Sequence, residues 1–121
     1  MARRKILLCD DSALVRSVVA HALGALDLDV TTIEDPRELA AEVARLAPDI
    51  LLVDLTYPTV NDDELVALIV PHVKTLPVFL FSDRRPAELA ALVERTGARG
   101  AVPKDAAVLV DQVRAFFATV T

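Results

Sequence analysis

The sequence predicts an α/β fold: a doubly wound, five-stranded parallel sheet with helices on both faces. Three observations carry this prediction. Short β-rich runs alternate five times with longer helical patterns, as βαβ units do. The run Ile50-Leu51-Leu52-Val53 is apolar throughout, as a strand covered on both faces must be. Aspartates directly follow two of the runs, Asp10 and Asp11 after Ile6–Cys9 and Asp54 after Ile50–Val53. Sites in such sheets form at the carboxyl ends of the strands.

Taken in order, the first strand is read as Lys5–Cys9, and Ser12 caps a helix from about Ala13 to Leu26. Within that helix Leu14, Val18, Ala22 and Leu26 recur every fourth residue as the expected core stripe. The second strand is Leu28–Ile33. Asp35 then caps a helix whose first turn holds Pro36, with Glu38 three residues on as in a capping box, and which ends near Leu46, before Pro48. The third strand is Ile50–Val53, followed by a loop from Leu55 to about Asn61. Asp62-Asp63-Glu64 suit the positive end of a third helix, which stops near Pro71. The fourth strand is Val78–Phe81 and its helix runs from about Pro86 to Thr96, with Gly97 positioned for a left-handed C-terminal residue. The last strand is Gly100–Val102, and Asp105 caps a final helix to about Ala118. With no linker, low-complexity tract or repeat, residues 1–121 read as one domain.

Composition narrows the function. The chain is 54% hydrophobic but only 4% aromatic, so its core is aliphatic. A net charge of −5 argues against a general nucleic-acid binder, which needs a basic face. Arg3-Arg4-Lys5 reads as a solvated strand flank rather than a membrane anchor. No apolar stretch approaches the ~20 residues of a membrane span, and no signal-peptide core follows the charged start; a soluble, cytoplasmic protein is expected. Cys9 lies within an apolar run and reads as a buried, inert thiol. His21 and His72 lack metal-ligand spacing and read as structural; Tyr57, in the loop after the third strand, reads as surface packing.

The acids are the informative feature. Carboxylates rarely sit deep in a fold unless paired or bound to a metal. If the first and third strands are neighbours, Asp10, Asp11 and Asp54 converge at one sheet edge, where a hard divalent cation relieves their repulsion. Ser82 and Lys104, at or just beyond the ends of later apolar runs, complete a site for an oxyanion.

These residues, with Pro58 four positions after Asp54, resemble the receiver domain of two-component response regulators over essentially the whole chain. The resemblance implies a flavodoxin-like (βα)5 domain with strand order 2-1-3-4-5. It implies that Asp54 is the phosphoacceptor, that Asp11 and Asp54 ligate Mg2+ with help from Asp10, and that the backbone carbonyl of Thr56 is a further ligand. It also implies that Lys104 pairs with a phosphoryl oxygen while the Ser82 hydroxyl bonds another. The expected partners are a sensor histidine kinase or phosphotransfer protein upstream and a protein target or output domain downstream. On this view the chain is a switch and not an enzyme, catalysing at most its own modification and its reversal.

Four positions depart from the family's pattern. Asn61-Asp62 stands where a glycine is common; Ala101 replaces the aromatic residue three positions before the lysine; Asp83 replaces a small residue; and Asp105, not proline, follows Lys104. Asn61 is expected to tolerate a left-handed turn, Asp83 to cap its turn or pair with Arg84 or Arg85, and Lys104–Asp105 to be trans. These departures motivate an alternative, an atypical receiver-like interaction module that signals without phosphate. An aspartyl phosphohydrolase is disfavoured because Asp54-Leu55-Thr56 lacks a second acid two residues on. With three glycines, none in a phosphate-cradling loop, a P-loop or dinucleotide site is weaker still. Finally, Val108, Leu109, Val110, Val113, Phe116, Phe117 and Val120 cover more than one stripe of the last helix, and Val15 and Val19 lie off the stripe of the first. Self-association as a homodimer, or partner docking, through these apolar faces is expected.

Overall fold

The computed structural model describes residues 3–119. Its strands are β1 (Lys5–Cys9), β2 (Asp29–Ile33), β3 (Ile50–Asp54), β4 (Val78–Phe81) and β5 (Gly100–Val102). The helices are α1 (Ala13–Gly24), α2 (Leu39–Leu46), α3 (Asp62–Ile69), α4 (Pro86–Thr96) and α5 (Ala106–Thr119). All strand pairs are parallel and the order is β2-β1-β3-β4-β5, as expected.

Alternation along the strands divides the core between the two sheet faces. Leu7, Cys9, Leu51, Val53 and Leu80 pack with residues of α2, α3 and α4. Ile6, Leu8, Ile50, Leu52 and Phe81 pack with Val19 and Leu23 of α1 and Leu109 and Val113 of α5. Register sets Cys9 beside Val53, Asp54 beside Phe81 and Phe81 beside Val102. The residues that follow these strands therefore share one edge.

The caps behave as their side-chain chemistry requires. Ser12 accepts from the Val15 N–H, and Asp105 accepts from the N–H groups of Ala107 and Val108. Asp35 accepts from the Arg37 N–H, but there it caps a 3-10 turn, Pro36–Glu38, and α2 begins only at Leu39. Gly97 is left-handed (φ 80°), where an added Cβ would press on the Val73 side chain at 3.2 Å.

Several expectations are corrected. Helix α1 stops at Gly24; beyond it the Leu26 and Asp27 N–H groups donate to the Leu23 and Gly24 carbonyls, and a left-handed Asp27 (φ 60°) leads the chain into β2. Strand β2 starts at Asp29, opposite Lys5, while Leu28 packs into the core beside the α1–α5 face. The stripe of α1 is displaced by one residue: Val15, Val19 and Leu23 face the core, while Leu14 (74% exposed) and Val18 (47%) face solvent. Asn61 is not left-handed; it is extended and caps α3 by accepting from the Glu64 N–H at 2.8 Å. The second stripe of α5 is partly covered from within: Phe116 meets the edge of Phe79 and lies beneath Arg99, and Phe117 lies beneath Arg4, while Val108 stays exposed (36%). Val120 of that stripe lies outside the described residues. No described helix is long and apolar enough to cross a membrane.

Candidate functional site

Asp10 is fully buried at the end of β1, and its N–H extends the ladder to the Ile33 carbonyl. Its Oδ1 accepts from the Ser12 N–H at 2.9 Å, and its backbone carbonyl accepts from Arg16 at 2.8 Å. Its Oδ2 has no directional hydrogen bond, although the Lys104 Nζ lies 3.0 Å away. Asp11 is half-buried beside it. Asp54 is 2% exposed; its Oδ1 accepts from the Leu55 and Thr56 N–H groups and lies 3.1 Å from the Lys104 Nζ. Asp10, Asp11 and Asp54 each offer an oxygen within 4.8 Å of the others.

Two buried carboxylates, Asp10 and Asp54, thus share one ammonium, with Asp11 beside them. Burial, and then the Asp10 charge, raise the Asp54 carboxyl above its ordinary value, with Lys104 opposing them. Burial works against the Lys104 ammonium, yet bonds and attraction from Asp10 and Asp54 together carry it above its ordinary value. The residual negative charge and the all-oxygen donor set, in which three carboxylates each offer an oxygen within 4.8 Å of the others, fit a hard divalent cation of the magnesium type.

The facing wall comes from two loops. Ser82 is buried after β4; its N–H donates to the Val102 carbonyl and its Oγ accepts from the Arg84 N–H at 3.1 Å. Thr56, Asp83, Arg84 and Lys104 line the same pocket of about 300 Å³ with Asp54 and Ser82. Lys104 sits at the apex of a tight turn in which the Asp105 N–H donates to the Pro103 carbonyl, and the described chain has no cis peptide. All the residues singled out from sequence therefore reach one sheet edge.

Three details differ from expectation. Asp83 neither caps its own turn nor pairs with an arginine; its Oδ1 accepts from the Lys104 N–H at 2.8 Å, joining the two loops. Arg84 instead reaches across to Asp62 and to the Leu55 carbonyl. Tyr57 is not surface packing: it is 7% exposed, and its hydroxyl donates to the Cys9 carbonyl at 3.0 Å and lies 3.2 Å from Cys9 Sγ. Burial pushes the Cys9 thiol up to about 12, which fits an inert thiol. Only the alternation of Tyr57 with apolar Leu55 hinted at this inward position. Ala101, at the position expected to carry a ring, is exposed on β5.

Comparison with known proteins agrees with the geometry. The DNA-binding transcriptional regulator NtrC of Salmonella typhimurium is 30% identical over 104 residues, a match covering 86% of this chain and 22% of that protein. The chain spans about a quarter or less of the length of the first curated relatives it matches. The chemotaxis protein CheY4 of Vibrio cholerae superposes with a TM-score of 0.81 at 25% identity, over 94% of this chain and 98% of that one. The BeF3-activated N-terminal receiver domain of Klebsiella pneumoniae RstA gives 0.79 at 25% identity, over 93% and 97%. Residues 6–114 match the model of the response regulator receiver domain, and the chain belongs to that family.

Proposed function

We propose that this chain is a phosphoacceptor switch of a two-component system, modified on Asp54. The observation that carries this reading is a nearly fully buried Asp54 carboxylate held 3.1 Å from the Lys104 ammonium within a cluster of three acids. In the proposed step a carboxylate oxygen of Asp54 attacks the phosphorus of a phosphohistidine on a sensor kinase or phosphotransfer protein. The P–N bond breaks, the imidazole leaves, and an acyl phosphate forms on Asp54.

Asp10, Asp11 and Asp54, with the Thr56 backbone carbonyl, would hold Mg2+. When bound, that ion supplies positive charge toward the transferring oxygens. Lys104 has its ammonium between Asp10 and Asp54, ready to pair with a phosphoryl oxygen. Ser82 accepts from the Arg84 N–H, so its own hydroxyl hydrogen is available to donate to another oxygen. The modified domain would then act on a protein target or on an output domain, as in the DNA-binding regulator to which it is similar. A cytoplasmic setting accords with this partner class. Self-association through the exposed Leu14 and Val18 of α1 belongs to the same proposal, with sedimentation at rising concentration as its check.

Exposed Ala101, which offers no ring to move, favours a second reading in which the domain binds partners without phosphate. Intact mass after treatment with acetyl phosphate and Mg2+ separates the two. The switch reading expects a one-phosphate adduct on the wild type and none on Asp54→Asn. A wild-type chain that binds Mg2+ yet gains no adduct would leave only the second reading.

A further inference from the structure

We propose that Arg84 is a second phosphoryl-binding cation, held in reserve by Asp62, and that its transfer to the phosphoryl group couples the pocket to the α3–α4 groove. This inference rests on the phosphoacceptor reading and goes beyond it. The Arg84 guanidinium donates to both carboxylate oxygens of Asp62 at 2.9 Å and to the Leu55 carbonyl at 2.6 Å. It lines the pocket beside Asp54, Ser82 and Lys104, and it also lines a groove of about 230 Å³ with Asp62 of α3 and Glu88, Leu92 and Arg95 of α4. No other described residue is common to these two cavities.

The two anchors differ in strength. Leu55 directly follows Asp54 and is buried, so its carbonyl keeps the guanidinium close to the acceptor. The Asp62 side chain is 45% exposed, where solvent screens its attraction. A phosphoryl group adds about −1.5 to −2 charges and three acceptor oxygens, and a planar guanidinium binds it through the same bidentate fork that now grips Asp62. With its greater charge and third acceptor oxygen, the phosphoryl group therefore outcompetes the half-exposed carboxylate. Release of Asp62 frees the first turn of α3 from the loop before α4, leaving the neighbouring Asp63–Arg95 pair, at 2.8 Å, as a link between those helices.

The test titrates beryllium fluoride, a phosphoryl mimic, with Mg2+ into the wild type, Arg84→Gln, Asp62→Asn and the double variant. Arg84→Gln should weaken binding about tenfold, the value of one charge-assisted hydrogen bond. Asp62→Asn should tighten it severalfold by removing the competitor. In the double variant the tightening should vanish, because Asp62 acts through Arg84; tightening that persists would mean a general charge effect and would overturn the proposal. Unchanged affinity in Arg84→Gln would also overturn it. If Arg84→Gln does not fold, the Arg84 side-chain NH resonances of the wild type carry the test: a shift on adding the mimic is expected, and an unmoved signal refutes it. Wild type that neither binds the mimic nor gains a phosphate defeats the phosphoacceptor reading itself, whereas binding with flat variants defeats only the role of Arg84.

Discussion

Asp10, Asp11 and Asp54 stand at or just after the ends of β1 and β3, whereas Ser82, Asp83, Arg84 and Lys104 stand on the loops beyond β4 and β5. On the first side the backbone decides the geometry: adjacent parallel strands in fixed register set Cys9 beside Val53, and the acids follow. On the second side the geometry comes from side chains that bond across the chain, Asp83 to the Lys104 N–H and Arg84 to Asp62. The acidic half is buried and repels itself. The loop half is more open and held by bonds at the surface. A sheet edge thus concentrates charge that a flexible chain would disperse, while the loops determine what that charge can be coupled to.

If the halves are joined mainly through Lys104, its removal should have the largest effect. Lys104→Ala takes the ammonium from between two buried carboxylates and from the expected phosphoryl oxygen. The rate of adduct formation with acetyl phosphate should fall about 10²-fold, as for the loss of one oriented donor to a developing oxyanion. A rate within a few fold of wild type would show that the acidic half works alone.

A smaller effect is expected within the acidic half. The Tyr57 hydroxyl ties the loop after β3 to Cys9, directly before Asp10. Tyr57→Phe should cost about 1 kcal/mol in urea unfolding, the net value of one intramolecular hydrogen bond. Mg2+ affinity should fall with it, since the same loop carries Thr56. Unchanged stability would mean that the loop is held by packing alone.

The smallest effect belongs to the loop half and depends on pH. Hydrogen bonding to Arg84 holds the Asp62 carboxyl below its ordinary 3.8. A depressed carboxyl adds stability above its unfolded value and loses it as pH falls through the folded one. Arg84→Gln should therefore lower the melting temperature slightly at pH 7, and the gap should narrow as pH falls below about 4. A gap independent of pH would assign the loss to the Leu55 carbonyl bond.

The two halves also differ in how far they were legible from sequence. The apolar run Ile50–Val53, the aspartates after it and after Cys9, and the caps Ser12 and Asp105 are local signals, and the folded chain puts the strand, the acids and the caps where they were read. The α1 stripe failed for a local reason too. Leu14-Val15 and Val18-Val19 are adjacent apolar pairs, so two stripes one residue apart fit the sequence, and only packing against the sheet selects Val15 and Val19. Tyr57–Cys9, Asp83–Lys104 and Arg84–Asp62 are separated by 48, 21 and 22 residues. Nothing in local spacing distinguishes such bonds from other pairings of the same side chains.

In the proposed function the acidic half receives phosphate on one particular carboxylate. Borohydride reduces an aspartyl phosphate to homoserine, so treating the chain with acetyl phosphate and Mg2+, reducing it and mapping its peptides by mass identifies the acceptor. Homoserine is expected at position 54 alone, with none formed when the metal is chelated. Homoserine at position 10 or 11, or a stable phosphate on Ser82 with Asp54 unmodified, would contradict it.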